Sequence, residues 1–413
     1  MAGFFREKDE LTCDGVPLSA IARAVGTPVY VYSRATIEEN FRRFDAAFAE
    51  VPHLVCYAAK ANSNLAILKI LAAEGAGADV VSGGELKAAL ACGFPPDRIV
   101  FSGVGKTDEE IRAGVAAGIL AFNAESEREI EKIDEEARRA VRTARVALRV
   151  NPDIDARSHP YISTGLKHNK FGVDISRARR IYARARGLFN VSMTGVQAHI
   201  GSQILETGPL EETARELAAL ARALAADGLP LETLDIGGGI AVPGPGETAA
   251  GPEEYAAAVL PHLRDTPFKI LIEPGRSIVG PAGVLLTSVL YVKENGKKRF
   301  VVTDAGMNDL IRPPLYGAIH PIESVAAPRG LPITADVVGP ICETSDFFAR
   351  DLDLPEPSEG DLLAIRDAGA YGFAMSSNYN FRPRAAEVLV EAGSLRTIRR
   401  RETFEDLVRL EPE

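Results

Sequence analysis

Apolar, β-branched runs recur along this chain, each ending in a polar residue and then giving way to a stretch rich in Ala, Glu, Arg and Leu. The runs fall at 54–58, 79–81, 98–101, 119–122, 145–150, 194–200, 233–236 and 268–272. Short runs of this kind, bounded by turn residues, read as buried strands. The spacing between most of them is helical, as over 107–117, 125–140 and 209–227. Strands alternating with helices in this way predict a closed parallel (β/α)8 barrel rather than an open sheet. No residue pattern repeats, so the repetition is one of architecture.

The pattern differs at both ends. Residues 18–25 read as a helix stopped by Gly26, and 27–32 as a β-rich run. Ile37, Phe41, Phe44 and Phe48 then mark one buried helix face. After Arg276, short β-like runs at 288–293, 299–303, 334–338 and 361–365 are separated by Gly, Pro and Asn turns. Residues 402–410 have the character of a terminal helix. The expected organisation is a barrel over 27–276 and an all-β domain over 277–413, joined by residues 1–26.

Composition narrows the function. A length of 413 residues exceeds one typical domain. The net charge of −10, with no Lys/Arg-rich run, argues against a nucleic-acid or acidic-membrane surface. Cys13, Cys56, Cys92 and Cys342 lie far apart without a CxxC pair, which suggests neither a zinc site nor a disulfide framework. The first ten residues are too charged for a signal peptide, and no apolar run is long enough to span a bilayer. A cytoplasmic enzyme without a metal is the expectation.

The strand ends carry the chemistry: Lys60, Ser82–Glu85, Ser102, Asn123, Asn151, His199 with Ser202, Gly237–Gly239, and Glu273–Arg276. In a barrel these would share the C-terminal rim, where such folds build their sites. A lysine at a strand end, sheltered by apolar neighbours, can form a Schiff base with a carbonyl. The plain alternative for Lys60 is a surface lysine at a strand–helix turn. Gly237, Gly238 and Gly239 could bare their amides to a phosphate, or simply make a tight turn. Glu273 needs a cation or a protonated ring nitrogen; Arg276 is either that partner or a clamp for a carboxylate or phosphate. A lone histidine such as His199 is more often a hydrogen-bonded core residue, but the adjoining Gly201 and Ser202 could supply phosphate donors and favour an active-site position. Cys342, beside Glu343 and Asp346, is a candidate reactive thiol.

Taken together, Tyr57–Asn62, His199–Gln203, Gly237–Gly239 and Glu273–Arg276 resemble the barrel-type, fold-type III pyridoxal-phosphate-dependent decarboxylases. The fuller pattern resembles the diaminopimelate decarboxylases. It adds Arg149–Pro152, His159–Gly165, Lys170–Gly172, Arg312–Tyr316, Gly339–Glu343 and Gly369–Tyr371 in consistent order. Thr344 departs from the serine more usual after Cys-Glu. The resemblance implies an alanine-racemase-like (β/α)8 barrel with a C-terminal β-sandwich or β-barrel domain that includes the N-terminal segment. It implies that Lys60 carries pyridoxal 5'-phosphate and that His199 packs on the ring. Ser202, the three glycines, Gly275, Arg276 and Tyr371 would bind the cofactor, and Glu273 would keep its ring nitrogen protonated. Cys342 would come from the second subunit of a head-to-tail homodimer and protonate the carbanion.

Within that resemblance, residue chemistry bears on substrate. Meso-diaminopimelate ends in both an ammonium and a carboxylate. Glu343 suits the first, Arg276 and Arg312 the second, and Tyr316 and Tyr371 could add hydroxyl donors. Decarboxylation to L-lysine and carbon dioxide is the expectation. The alternatives are a decarboxylase of ornithine, arginine or carboxynorspermidine, and a racemase. A non-catalytic regulator would be expected to lose the lysine or the phosphate-binding residues, and all are present.

Overall fold

The computed structural model describes residues 3–156, 164–165 and 169–412, which fall into two compact units. One comprises Asn40–Pro243 and Thr248–Ser277; the other comprises Met1–Glu39, Gly244–Glu247 and Ile278–Glu413.

The first unit is the barrel. Its strands are His53–Ala58, Gly77–Val80, Ile99–Phe101, Ala121–Ala124, Ala144–Asn151, Val191–Gln197, Thr233–Asp235 and Lys269–Ile272. Each pairs in parallel with the next, and the last pairs with the first through Ile270 and His53, closing the ring. Closure leaves no open edge and puts every strand between side chains on both faces. Leu54, Cys56, Val100 and Leu271 form one packed cluster of interior residues. All eight strands overlap the apolar runs at which they were expected.

The helices have the amphipathic spacing that this packing requires. Gly208–Ala226 buries Leu210, Ala214, Leu217, Ala218, Ala221 and Leu224, a single stripe at helical period. Asp108–Ala117 starts with a reciprocal cap between Thr107 and Glu110 and stops at Gly118, whose φ of 70° suits glycine. The same Glu110 reaches across to accept the Gly83 amide at 2.7 Å, at the first turn of the helix Gly83–Ala91.

The second unit is built on one long strand, Gly283–Asn295. It pairs antiparallel with Val29–Ser33, Lys298–Thr303 and Leu362–Ile365. The sheet extends through Pro332–Val338 and Phe347–Pro355 on one side, and Ala386–Glu391 and Ser394–Arg399 on the other. Residues Phe4–Glu7, Glu10–Cys13 and Val16–Pro17 add a small antiparallel meander. Phe4, Leu11, Val29, Val31, Val284 and Leu286 share its core. Residues up to Glu39 group with this unit, where the expected barrel began at 27. The reason is pairing: Val29–Ser33 lies between the strands Gly283–Asn295 and Ala386–Glu391.

Gly369 shows how tightly this unit is packed. A Cβ there would lie 1.9 Å from the Val279 carbonyl oxygen, which is backbone and cannot rotate away. Gly369→Ala is expected to destabilise this unit by about 2–3 kcal/mol, as forced overpacking does. Urea denaturation followed by circular dichroism measures it, and an unchanged midpoint would contradict this packing.

Candidate active site

The turn after the first barrel strand is fixed by its own side chains. Asn62 accepts the Asn64 amide at 3.0 Å, and Asn64 accepts the Ala66 amide at 2.9 Å, capping the helix Leu65–Ala73. The Tyr57 hydroxyl donates to the Asn62 carbonyl at 2.9 Å. Lys60 sits inside this turn, half-buried, and its Nζ pairs with Asp79. Register places Asp79 opposite Ala58 on the neighbouring strand, where it is fully buried. An anion inside the barrel holds the amine, between the buried neighbours Ala59 and Ala61.

Two further carboxyls share that interior. Glu273 ends the last strand and is buried; Asn123 donates to its Oε1 and Gln197 to its Oε2, each at 3.2 Å. Asp235 lies against it and accepts the Gly237 amide at 2.9 Å. Burial pushes the Glu273 carboxyl well above the ordinary range, and the negative charges of Asp235 and Asp79 add to the shift. Burial likewise pushes Asp235 up to about 6. The low-dielectric interior thus favours a protonated carboxyl at Glu273. Asp79 Oδ1 and Asp235 Oδ2 are buried without a hydrogen-bond partner among the described residues.

The Glu273 loop and the Lys60 turn touch. The Ala58 amide donates to the Pro274 carbonyl at 3.0 Å. A Cβ at Gly275 would lie 3.0 Å from the Cβ atoms of both Ala58 and Ala61. Glycine at 275 is what lets the two segments meet.

Facing them is an anion cradle. Arg276 donates through Nε at 3.3 Å and Nη2 at 3.1 Å to Ser202 Oγ. The loops carrying Ser202 and the glycines are tied together by the Ile204 amide, which donates to the Gly239 carbonyl at 2.9 Å. A Cβ at Gly238 would lie 2.2 Å from the Glu273 carbonyl oxygen, so the chain itself demands glycine there. Two of the three glycine amides are engaged within the protein, Gly237 with Asp235 and Gly238 with His199 Nδ1 at 3.3 Å. That bond makes Nδ1 an acceptor. Burial and the neighbouring Arg149 and Lys60 cations push His199 well below its usual range, so the ring is neutral with its proton on Nε2.

An amine, a neutral imidazole, a cation–hydroxyl cradle beside a glycine loop, and a deep protonated carboxyl match a phosphorylated pyridine aldehyde group by group. The amine would hold the aldehyde, the cradle the phosphate, and the carboxyl the ring nitrogen.

The remaining expected residues lie in the β unit. Arg312 is buried at the start of a short helix, Arg312–Tyr316, and its Nη1 donates to His320 Nε2 at 2.9 Å. Cys342 and Glu343 are exposed, and the Cys342 amide donates to Asn380 Oδ1 at 2.8 Å. Ser345 and Tyr379 hold the Glu343 carboxylate below its ordinary range by donating to it. Asp346 is the buried hub of this loop, accepting the Met307 and Ile341 amides at 2.6 Å each. Tyr371 is half-buried with a left-handed φ of 54°.

Of the motif His159–Gly165, only Thr164 and Gly165 are among the described residues. Sequence reading missed Asp79 and Asp235 because each sits inside an apolar strand run. It also passed over Glu125, whose buried ion pair with Arg149 at 2.7 Å also takes the Gly172 amide at 2.6 Å. An acidic residue within an apolar run was the available signal for the first two.

These features define a barrel that binds pyridoxal phosphate, and the comparisons agree. Residues 34–280 match the pyridoxal-binding domain of the pyridoxal-dependent decarboxylases. The chain is 50% identical to a diaminopimelate decarboxylase of Neisseria meningitidis serogroup A, over 96% of this chain and 97% of that relative. It is 48% identical to one from Aquifex aeolicus, over 97% and 95% respectively. The crystal structure of diaminopimelate decarboxylase from Helicobacter pylori complexed with L-lysine superposes with a TM-score of 0.92 at 45% identity, over 95% of this chain and 99% of that one. The chain belongs to the diaminopimelate decarboxylase family. No helix among the described residues is long and apolar enough to cross a membrane.

The raised carboxyls carry a sign for stability. Protonated Asp235 is favoured by the fold, so its contribution is fully present below the ordinary carboxylate range and is lost as pH rises through about 6. In cofactor-free protein, the thermal midpoint of wild type relative to Asp235→Asn is expected to fall as pH goes from about 5 to about 8. A pH-independent difference would contradict this assignment.

Proposed function

We propose that this chain decarboxylates meso-2,6-diaminopimelate at its D-configured carbon, giving L-lysine and carbon dioxide, the last step of lysine biosynthesis. The observation that carries the substrate reading is the pair of opposite charges in the β unit: a buried guanidinium at Arg312 and an ionised carboxylate at Glu343. A substrate whose far end bears both an ammonium and a carboxylate needs both signs. The names of the relatives point the same way.

Lys60 would hold the cofactor covalently, and Ser202, Arg276 and the Gly237–Gly239 loop would take its phosphate, with Tyr371 adding a hydroxyl. When bound, the cofactor supplies the sink for the electrons left by the departing carboxyl. The chain's own work is positional and protonic. Neutral His199 presents a flat, uncharged ring, so no second cation competes for the electrons. Glu273 would meet the pyridine nitrogen and keep it protonated; its own carboxyl is pushed well above the ordinary range by burial. Arg312 and Tyr316 fix the distal carboxylate while Glu343 fixes the ammonium, leaving the scissile bond as the one that must align with the ring. The Cys342 thiol then returns a proton to carbon. We assign Cys342 and Glu343 to the site of a second copy, with the β unit serving both the site and the interface of a cytoplasmic homodimer. Exposed Tyr379, Phe381 and Phe404 near that loop support an interface.

Each of these roles can be tested. Borohydride reduction of the cofactor-loaded protein is expected to leave the cofactor on the peptide containing Lys60, and Lys60→Ala to release no carbon dioxide from diaminopimelate above background. Mapping by mass spectrometry and a carbon dioxide assay over diaminopimelate, ornithine and arginine check this. Turnover of ornithine alone would overturn the substrate. Cys342→Ala is expected to lower kcat by about 10²-fold or more with KM little changed, as loss of an acid does. Light scattering at assay concentration should show a dimer, and a fully active monomer would overturn the shared site.

A further inference from the structure

Arg312 is held by a histidine that none of the motifs includes. Its Nη1 donates to His320 Nε2 at 2.9 Å, and His320 Nδ1 lies 2.8 Å from the Arg366 carbonyl oxygen. Guanidinium has donors only, so Nε2 must carry the lone pair. The proton is therefore on Nδ1, and it is given to Arg366. With both nitrogens engaged, the ring cannot turn without losing a bond. Backbone fixes its position as well: the Arg366 amide donates to the Pro321 carbonyl at 2.8 Å, and Ile322–Ser324 then pairs with Leu363–Ile365. Both His320 and Arg312 are buried.

We infer that His320 is the positioning residue for the substrate's distal carboxylate, its neutral imidazole orienting the Arg312 guanidinium that receives it. This rests on the assignment of Arg312 to that carboxylate. A long, flexible arginine side chain has many rotamers, and an acceptor held against one Nη restricts them. The arrangement also has one failure mode. A second proton on His320 would set an N–H against an N–H and a cation beside a cation, releasing the guanidinium. The charged and titratable groups of the surrounding elements are Arg312 and Tyr316 on the helix before it, Glu323 on the strand after it, and Arg366 and Asp367 at the end of the strand it pairs with. Tyr30 feels the Arg312 charge. Arg366 is itself paired with Glu323 at 2.8 Å. A second proton there would thus weaken binding of the carboxylate, read in KM, and leave kcat alone.

The test uses cofactor-loaded wild type, His320→Leu, His320→Gln and Arg312→Leu. Each is assayed with diaminopimelate across pH, and for binding of L-lysine and of 1,5-diaminopentane, which lacks the carboxylate. Thermal midpoint and cofactor occupancy are recorded for every variant. His320→Leu is expected to raise KM and weaken lysine binding about tenfold, the scale of one charge-assisted hydrogen bond. Its kcat and its diamine affinity should stay near wild type. A glutamine side chain keeps an acceptor that cannot titrate, so His320→Gln should restore KM and abolish its rise in acid. If Arg312→Leu weakens lysine binding but His320→Leu does not, the inference falls and the substrate reading stands. If Arg312→Leu changes nothing, the reading of Arg312 falls first. Should His320→Leu not fold, the pH profile of His320→Gln decides, and an acid-side rise in KM equal to wild type overturns the inference.

Discussion

Three carboxyl groups inside one barrel are the constraint on which the rest of the site depends. Asp79, Asp235 and Glu273 are buried together, with the Lys60 amine as the cation that pairs with the first of them. Burying that much negative charge is costly, and the protein meets the cost in two ways. Asp79 is neutralised by the lysine. Glu273 is pushed toward its acid form, its oxygens held by the amides of Asn123 and Gln197. In the proposed function this same carboxyl would meet the pyridine nitrogen of the cofactor.

Around this interior the glycines do mechanical work. Gly238 and Gly275 are required where two backbones meet, at the Glu273 carbonyl and at the Ala58–Ala61 turn. The glycine loop, the lysine turn and the last strand are thereby locked to one another. Arg276, which the sequence allowed as a partner for Glu273, instead donates to Ser202. The carboxyl is met instead by the Asn123 and Gln197 amides and by Asp235.

The barrel was legible because its periodicity is strong: eight apolar runs gave eight strands, and the polar residue at each run's end marked the rim. The site's outline was legible for the same reason. What sequence could not show was pairing across strands. Lys60 and Asp79 are nineteen residues apart, and only the register of two parallel strands brings them together. The meander at Phe4–Pro17 went unseen because strands of two to four residues are too short to show alternation. Residues 27–32 read only as a β-rich run, and a wholly buried strand such as Val29–Ser33 does not reveal in sequence which sheet buries it. His320 was hidden by an ordinary sequence context; its partners, Arg312 and Arg366, lie on either side of it in the chain and meet only in the fold.

Glu110 caps its own helix through Thr107 and also caps the preceding one through Gly83. Successive βα units therefore share a single side chain, and neither helix start can open without exposing the other's amides. The consequence is one of cooperativity. Native-state hydrogen exchange across residues 83–117 should report one opening free energy rather than two, so that this part of the barrel behaves as a single foldon although the sequence divides it into separate units.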